Sequence, residues 1–231
     1  MKRTVRELVA RWTFLIVGLF IMAFGIALSI VADLGTSPLS SPPYVLSCVP
    51  NVKWTVGNLT IMMHCIFIIS QILILRKKYQ VIQLLQLPVA FIFGYMNDFA
   101  LYIVKDVCNI TYNNYAQQWI LCMIGIVLVA IGVSAEIIAD VVTLAGEGID
   151  VAISQVTPIK FETIKVIMDV ALVTLAAIFS WLFLGKVVGV REGTLASAIL
   201  VGVIVNYINI PLGKLDDWFK SLSRKEIQEE A

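Results

Sequence analysis

Charge is what this sequence has least of. Asp, Glu, Lys and Arg together make up 14% of its 231 residues, against 59% hydrophobic residues, and His64 is its one histidine. A mean hydropathy of +0.91 lies well outside the balance of a soluble domain, so the chain reads as an integral membrane protein. The other scarcities remove whole classes of chemistry. The four cysteines include no CxxC pair and do not cluster with His64, which argues against a zinc or redox centre. There is no P-loop and no HExxH, so no enzyme activity and no cofactor are expected, and any driving free energy would come from a gradient or a partner. Cys48 and Cys108 fall on expected outer loops and would pair only in an oxidising compartment; isolated thiols are the simpler reading. The apolar runs do not alternate with polar residues, which excludes a β-barrel, and no cleavable leader is evident.

What is present is six apolar runs of the length a bilayer requires: Phe14–Ala32, Val56–Leu75, Leu84–Val104, Trp119–Ala139, Ile164–Leu184 and Thr194–Ile210. Lys and Arg beside the runs gather on one side, at Lys2, Arg3, Arg6 and Arg11, at Arg76, Lys77 and Lys78, and again near the C-terminus, including Arg224 and Lys225. By the positive-inside rule both termini are cytoplasmic and the protein is expected in the cell inner membrane. Residues 1–13, with Val5, Leu8, Val9 and Trp12 on one face, read as an interfacial helix on anionic lipid that leads into the first span, and residues 213–231 as an amphipathic cytoplasmic tail.

One stretch occurs twice, 107 residues apart. Gly18 to Ser47 and Gly125 to Ser154 each consist of an apolar helix ending in Ala-Asp, followed by a short segment rich in Gly, Pro, Ser or Thr. The offset pairs Gly18 with Gly125, Gly25 with Gly132, Asp33 with Asp140, Asn58 with Lys165 and, after a one-residue slip, Asp98 with Asn206. Repeat 1 then spans 14–104, an outer loop fills 105–118, and repeat 2 spans 119–212. Three spans per repeat is odd, so the second repeat must lie upside down relative to the first. The fold expected is all-α, six transmembrane helices in two inverted three-helix repeats, each with a short broken or re-entrant helix after its first span. For the first of these, Ser37-Pro38 reads as the helix start, and Pro42-Pro43 as a distortion within it.

The run GIALSIVADLGTSPLSSPPYVLS, its second copy, and the Lys53-Trp54 and Lys160-Phe161 steps into the following spans resemble the YitT/YczE family of bacterial integral membrane proteins. The resemblance implies a six-span inner-membrane fold and a transporter of unstated substrate. Many such sequences carry Asp after the Pro of the first segment, whereas here Leu39 follows Pro38.

Ionisable groups inside spans cost about 2.5–3.5 kcal/mol by insertion scales, so each is a candidate for function or pairing. One group, toward the outer side, holds Asp33, Asn58, Asn97 and Asp98; the other, toward the inner side, holds Glu136, Asp140, Lys165, Asp169, Asn206 and Asn209. Glu136 and Asp140 are four apart, and Lys165 is the candidate cation between them, although Lys165 snorkelling to the interface reads equally well. The candidate substrate or coupling-ion residues are Asp33, Ser37, Asn58, His64, Asp98, Glu136, Asp140, Glu147, Asp150, Lys165, Asp169 and Asn206. Together they suggest a secondary transporter of a small cationic or zwitterionic solute, with proton coupling, whose site lies between the repeats. The partners expected are the bilayer, a small-molecule substrate and a second copy of the chain, with no nucleic acid. A non-transporting membrane scaffold or regulator is the alternative.

Overall fold

The computed structural model describes residues 3–229, with side chains through residue 222; Lys2 and the side chains of Arg224 and Lys225 fall outside this range. The described residues form eight α-helices and no strand: α1 (Val5–Ala32), α2 (Ser41–Ser47), α3 (Val56–Leu75), α4 (Gln86–Tyr102), α5 (Tyr115–Ala139), α6 (Ala145–Val156), α7 (Phe161–Leu184) and α8 (Glu192–Glu229). α4 is lengthened by a 3-10 turn over Val81–Leu85 and a π-helical turn over Ile103–Val107. Six helices, all but α2 and α6, are long and apolar enough to cross a membrane, so the chain has the make-up of a multi-pass membrane protein.

α1 and α5, the first helix of each copy of the duplicated stretch, make the most extensive contact in the molecule. They cross antiparallel through reciprocal glycines. A Cβ on Gly25 would stand 2.6 Å from the Gly125 carbonyl oxygen, one on Gly125 2.7 Å from that of Gly25, and one on Gly132 2.8 Å from that of Gly18. Only a missing side chain allows backbones this close, and close approach is what drives helix association where lipid tails are as apolar as leucine.

Each of these helices ends in a left-handed aspartate, Asp33 with φ 54° and Asp140 with φ 47°, a conformation Asp tolerates better than most residues. An arginine distant in sequence satisfies each end. The Arg191 guanidinium donates to the Asp33 carbonyl at 2.8 Å, and that of Arg3 donates to the Asp140 carbonyl at 2.6 Å and to its carboxylate. Carbonyls at a helix C-terminus have no intrahelical donor, which is why a cation settles there.

Each short helix packs between the two halves, α2 against α7 and α3, and α6 against α3 and α7. The fully buried Gln71 of α3 fixes α6, its amide donating to the Ala145 carbonyl and to Gln86 Oε1, both at 3.1 Å. On the other side the 186–194 connection holds the approach to α2, through Thr36 N–H to Gly189 O at 3.2 Å and Gly193 N–H to Leu34 O at 2.8 Å.

Three local expectations change. α2 starts at Ser41, not at Ser37, and Pro42-Pro43 occupy its first turn, where amide donors have no helical acceptor, so the prolines start this helix without distorting it. Residues 5–13 are the first turns of α1 itself, since no Gly or Pro interrupts them; Glu7 and Arg11 are buried as an ion pair at 2.8 Å instead of facing a lipid surface. α8 runs without a break past Pro211 through the expected tail, and Phe219 is buried there, 5.7 Å from Phe14 and 5.0 Å from the Arg11 guanidinium. The four cysteines are free thiols.

The second helix pair of each copy differs. Gly57 and Gly94 bring α3 and α4 into backbone contact, and Asp98 braces the seam by accepting the Gly57 N–H at 2.7 Å and the Thr55 hydroxyl at 2.6 Å. Among the described residues α7 and α8 scarcely touch; Ile164 stands where Gly57 does in the first copy, and nothing lies within 4 Å of where a Gly202 Cβ would be. The α1–α5 contact should therefore be the sensitive one. Gly25→Val is expected to cost about 1–3 kcal/mol or more from overpacking, and Gly202→Ala less than about 0.5 kcal/mol, measured by thermal or denaturant unfolding of the purified protein.

Candidate functional site

A cavity of about 470 Å³ lies where the two halves meet, lined by all six long helices and by both segments that lead into α2 and α6. Its walls are mostly apolar, from Met22, Ile26, Phe93, Val129, Val201 and Val205. Polar groups enter it at two levels.

At the level of α6 are Glu136, Glu147, Lys165 and Asp169. Glu136 is 1% exposed, and its Oε1 accepts the Leu144 N–H at 2.6 Å, which folds the 140–144 connection back onto α5. Its Oε2 has no donor on the described chain, and the Glu147 carboxyl lies close beside the Glu136 side chain. Two facing carboxylates repel unless a proton or a cation lies between them. The Lys165 ammonium does not fill that role. It donates to Asp169 at 3.1 Å and stands 3.9 Å from the buried Asp150, so its direct ion pairs are with these two acids, while its charge reaches Glu147 and Glu136 from farther off.

At the second level are His64 and Asn97, from α3 and α4, with Ser37 from the approach to α2. His64 is fully buried, its Nδ1 2.9 Å from the Thr60 carbonyl; because a carbonyl can only accept, Nδ1 carries the hydrogen and Nε2 of the neutral ring is an acceptor. Asn97 Nδ2 donates to the Phe93 carbonyl at 2.9 Å, which fixes the amide with Oδ1 pointing away. Neither His64 Nε2 nor Asn97 Oδ1 meets a donor on the described chain. Ser37 Oγ lies 2.9 Å from Ser40 Oγ.

The cavity thus brings together Ser37, His64, Glu136, Glu147, Lys165 and Asp169, with Asp150 behind Lys165. The other candidates lie elsewhere. Asp33 and Asp140 close helix ends, so Asp140 meets Arg3 and shares no cation with Glu136. Asp98 braces α3, Asn58 sits on the exposed first turn of that helix, and Asn206 is exposed on α8. Asn97 and Thr60 belong to the lining but were not among the selected candidates. One step of an α-helix turns a side chain by about 100°, enough to send Asp98 to α3 and Asn97 into the cavity; Thr60 and His64, four apart, share the face of α3 that does the same.

A second, more open cleft of about 550 Å³ lies at the Asp140 end, among Arg3, Glu7, Arg11, Asp140, Asp216 and Lys220. Its charges satisfy one another. Arg11 bonds Glu7, Asp216 at 2.6 Å, and the Ile138 and Ala139 carbonyls at 3.0 and 3.2 Å, and Lys220 pairs with Asp216 at 2.6 Å. This network ties α1, α5 and α8 into one end of the structure.

The chain belongs to a family of unknown function, DUF6198, which it matches over residues 9–210. It is similar to the uncharacterized membrane protein YczE of Bacillus subtilis (strain 168), 27% identical over 203 residues, covering 87% of this chain and 86% of YczE. It is also 35% identical over 117 residues to the uncharacterized protein YyaS of the same organism, a match covering 50% of this chain and 54% of YyaS, so the chain spans about half of that relative. No solved structure matches it. The resemblance read from the duplicated stretch therefore extends to YczE over most of both chains.

Removing one member of a buried ion pair leaves an uncompensated charge. Arg11→Ala is expected to destabilise the protein by about 3–5 kcal/mol, and Asp140→Ala, an exposed partner, by about 1 kcal/mol or less, in equilibrium unfolding of the detergent-solubilised chain.

Proposed function

We propose that this protein is a secondary transporter of a small organic solute, built from two inverted three-span repeats whose central cavity is the substrate site. The observation that carries the reading is the cavity's composition: every long helix and both short-helix approaches contribute to its lining. Inverted-repeat carriers bind substrate near the midplane, between repeats, beside interrupted helices. The reciprocal pairing of Gly18 with Gly132 and of Gly25 with Gly125 supports the inversion, since each glycine meets the copy of the other across an antiparallel crossing. The like placement of α2 and α6, each packed against both α3 and α7, supports it again.

The unequal seams suggest how access alternates. The α3–α4 pair is shut, glycine on glycine, while α7 and α8 stand apart beside the cavity. In the opposite state α7 and α8 would close and α3 and α4 would part. Glu136 and Glu147 are the coupling pair, alternately holding a proton or the solute's positive charge. The exposed apolar faces of α7 and α8 also suit a scaffold that docks a partner, but lipid accounts for them equally.

Uptake of labelled organic cations and amino acids into proteoliposomes tests the reading. Glu136→Gln is expected to lower uptake about ten-fold or more while the protein still reconstitutes, the effect of removing a charged hydrogen-bonding partner. Uptake unchanged by Glu136→Gln, or no uptake of any solute in the panel, goes against transport through this cavity.

A further inference from the structure

Three buried side chains that line the cavity carry an atom that no donor on the described chain satisfies: Glu136 Oε2, His64 Nε2 and Asn97 Oδ1. All three are acceptors. His64 Nε2 and Asn97 Oδ1 are fixed in that role by the bonds their other polar atoms make, His64 Nδ1 to the Thr60 carbonyl and Asn97 Nδ2 to the Phe93 carbonyl, and Glu136 Oε2 takes it as the free oxygen of a carboxylate whose Oε1 holds the Leu144 N–H. A buried acceptor without a donor is costly, so three around one cavity ask for the same complementary chemistry. They also sit at two levels: Glu136 is tied to Leu144, next to the Ala145 carbonyl that Gln71 holds, while His64, with Asn97 on the neighbouring α4, stands roughly 10 Å along α3 from Gln71.

We propose that the cavity's ligand is an elongated aliphatic cation with N–H donors at both ends, the chemistry of an α,ω-diamine: one ammonium lies between Glu136 and Glu147, the methylenes lie along the apolar wall, and the second amino group donates to His64 Nε2 and Asn97 Oδ1. The inference rests on the reading of the cavity as the substrate site and narrows the solute from cationic or zwitterionic to cationic. A zwitterion would bring a carboxylate, and the one cation lining the cavity, Lys165, is already held between Asp169 and Asp150. A quaternary ammonium matches the charge but has no hydrogen to donate. The charged cleft at the Asp140 end offers no comparable set of acceptors, because its charged groups pair with one another and, among the described residues, Asn209 Oδ1 alone lines it unpartnered.

The test is calorimetric titration of the full chain in lipid nanodiscs with α,ω-diaminoalkanes of increasing length, ω-amino acids of matched length, and the bis(trimethylammonium) analogues. The diamines are expected to bind with a length optimum, and the two analogue series about ten-fold or more weakly, the worth of a hydrogen bond to a charged group. Asn97→Leu should weaken diamine binding about ten-fold and Asn97→Asp, which keeps the acceptor, should not. Unliganded melting temperatures identify any variant that has simply lost its fold. Equal binding of the diamines and their quaternary analogues, tighter binding of the ω-amino acids, or no diamine binding overturns the inference. Uptake of an ω-amino acid without diamine binding would remove this ligand and leave transport standing; diamine binding without uptake would do the reverse.

Discussion

The rest of the structure depends on the antiparallel crossing of α1 and α5 through glycine. In a membrane the hydrophobic effect gives helices no reason to prefer one another to lipid, so a crossing must be held by close van der Waals contact. Gly18, Gly25, Gly125 and Gly132 supply it by leaving no side chain between two backbones. Once these helices cross, their ends lie at opposite faces of the molecule, and the connections after Asp33 and Asp140 must turn back into it. They become the two approaches that reach the cavity.

Chain that turns back into a packed helix bundle carries backbone groups that need partners. The protein meets this with residues distant in sequence. Gln71 holds the start of α6, the 186–194 connection holds the approach to α2, and Arg191 and Arg3 close the ends of α1 and α5. Much of what reads as intramembrane charge is spent this way. Asp33, Asp98 and Asp140 finish or brace helices, which leaves Glu136 and Glu147 as the carboxyls that face open space with the nearby cation already engaged.

The spans were legible because apolar runs have one interpretation at this composition, and α3 falls on the run from Val56 to Leu75. The duplication was legible because its glycines and Ala-Asp ends kept their spacing. Pairing was not. Arg11 read as one of the basic residues of an interfacial segment, and nothing local says that Glu7, Asp216 and the end of α5 complete its site, 205 residues away in the case of Asp216. Likewise Asp140 and Lys165 share a neighbourhood in sequence, but the left-handed turn at Asp140 sends its carboxylate to Arg3. Sequence ranks a carboxylate above an amide in a span, so Asp98 drew the attention that belongs to Asn97; only the facing of α4 against α3 separates their roles.

The central claim is that the two copies lie oppositely in the bilayer around a shared cavity, and its most direct test is sidedness. Asn51 and Pro158 are equivalent by the 107-residue offset, and both are exposed just beyond the short helix of their copy. Each would be changed singly to cysteine in a background lacking Cys48, Cys65, Cys108 and Cys122, and labelled with a membrane-impermeant maleimide from one side of sealed vesicles at a time. The account predicts labelling from opposite sides, Asn51→Cys from outside and Pro158→Cys from the cytoplasmic face. Labelling of both from the same side would contradict it.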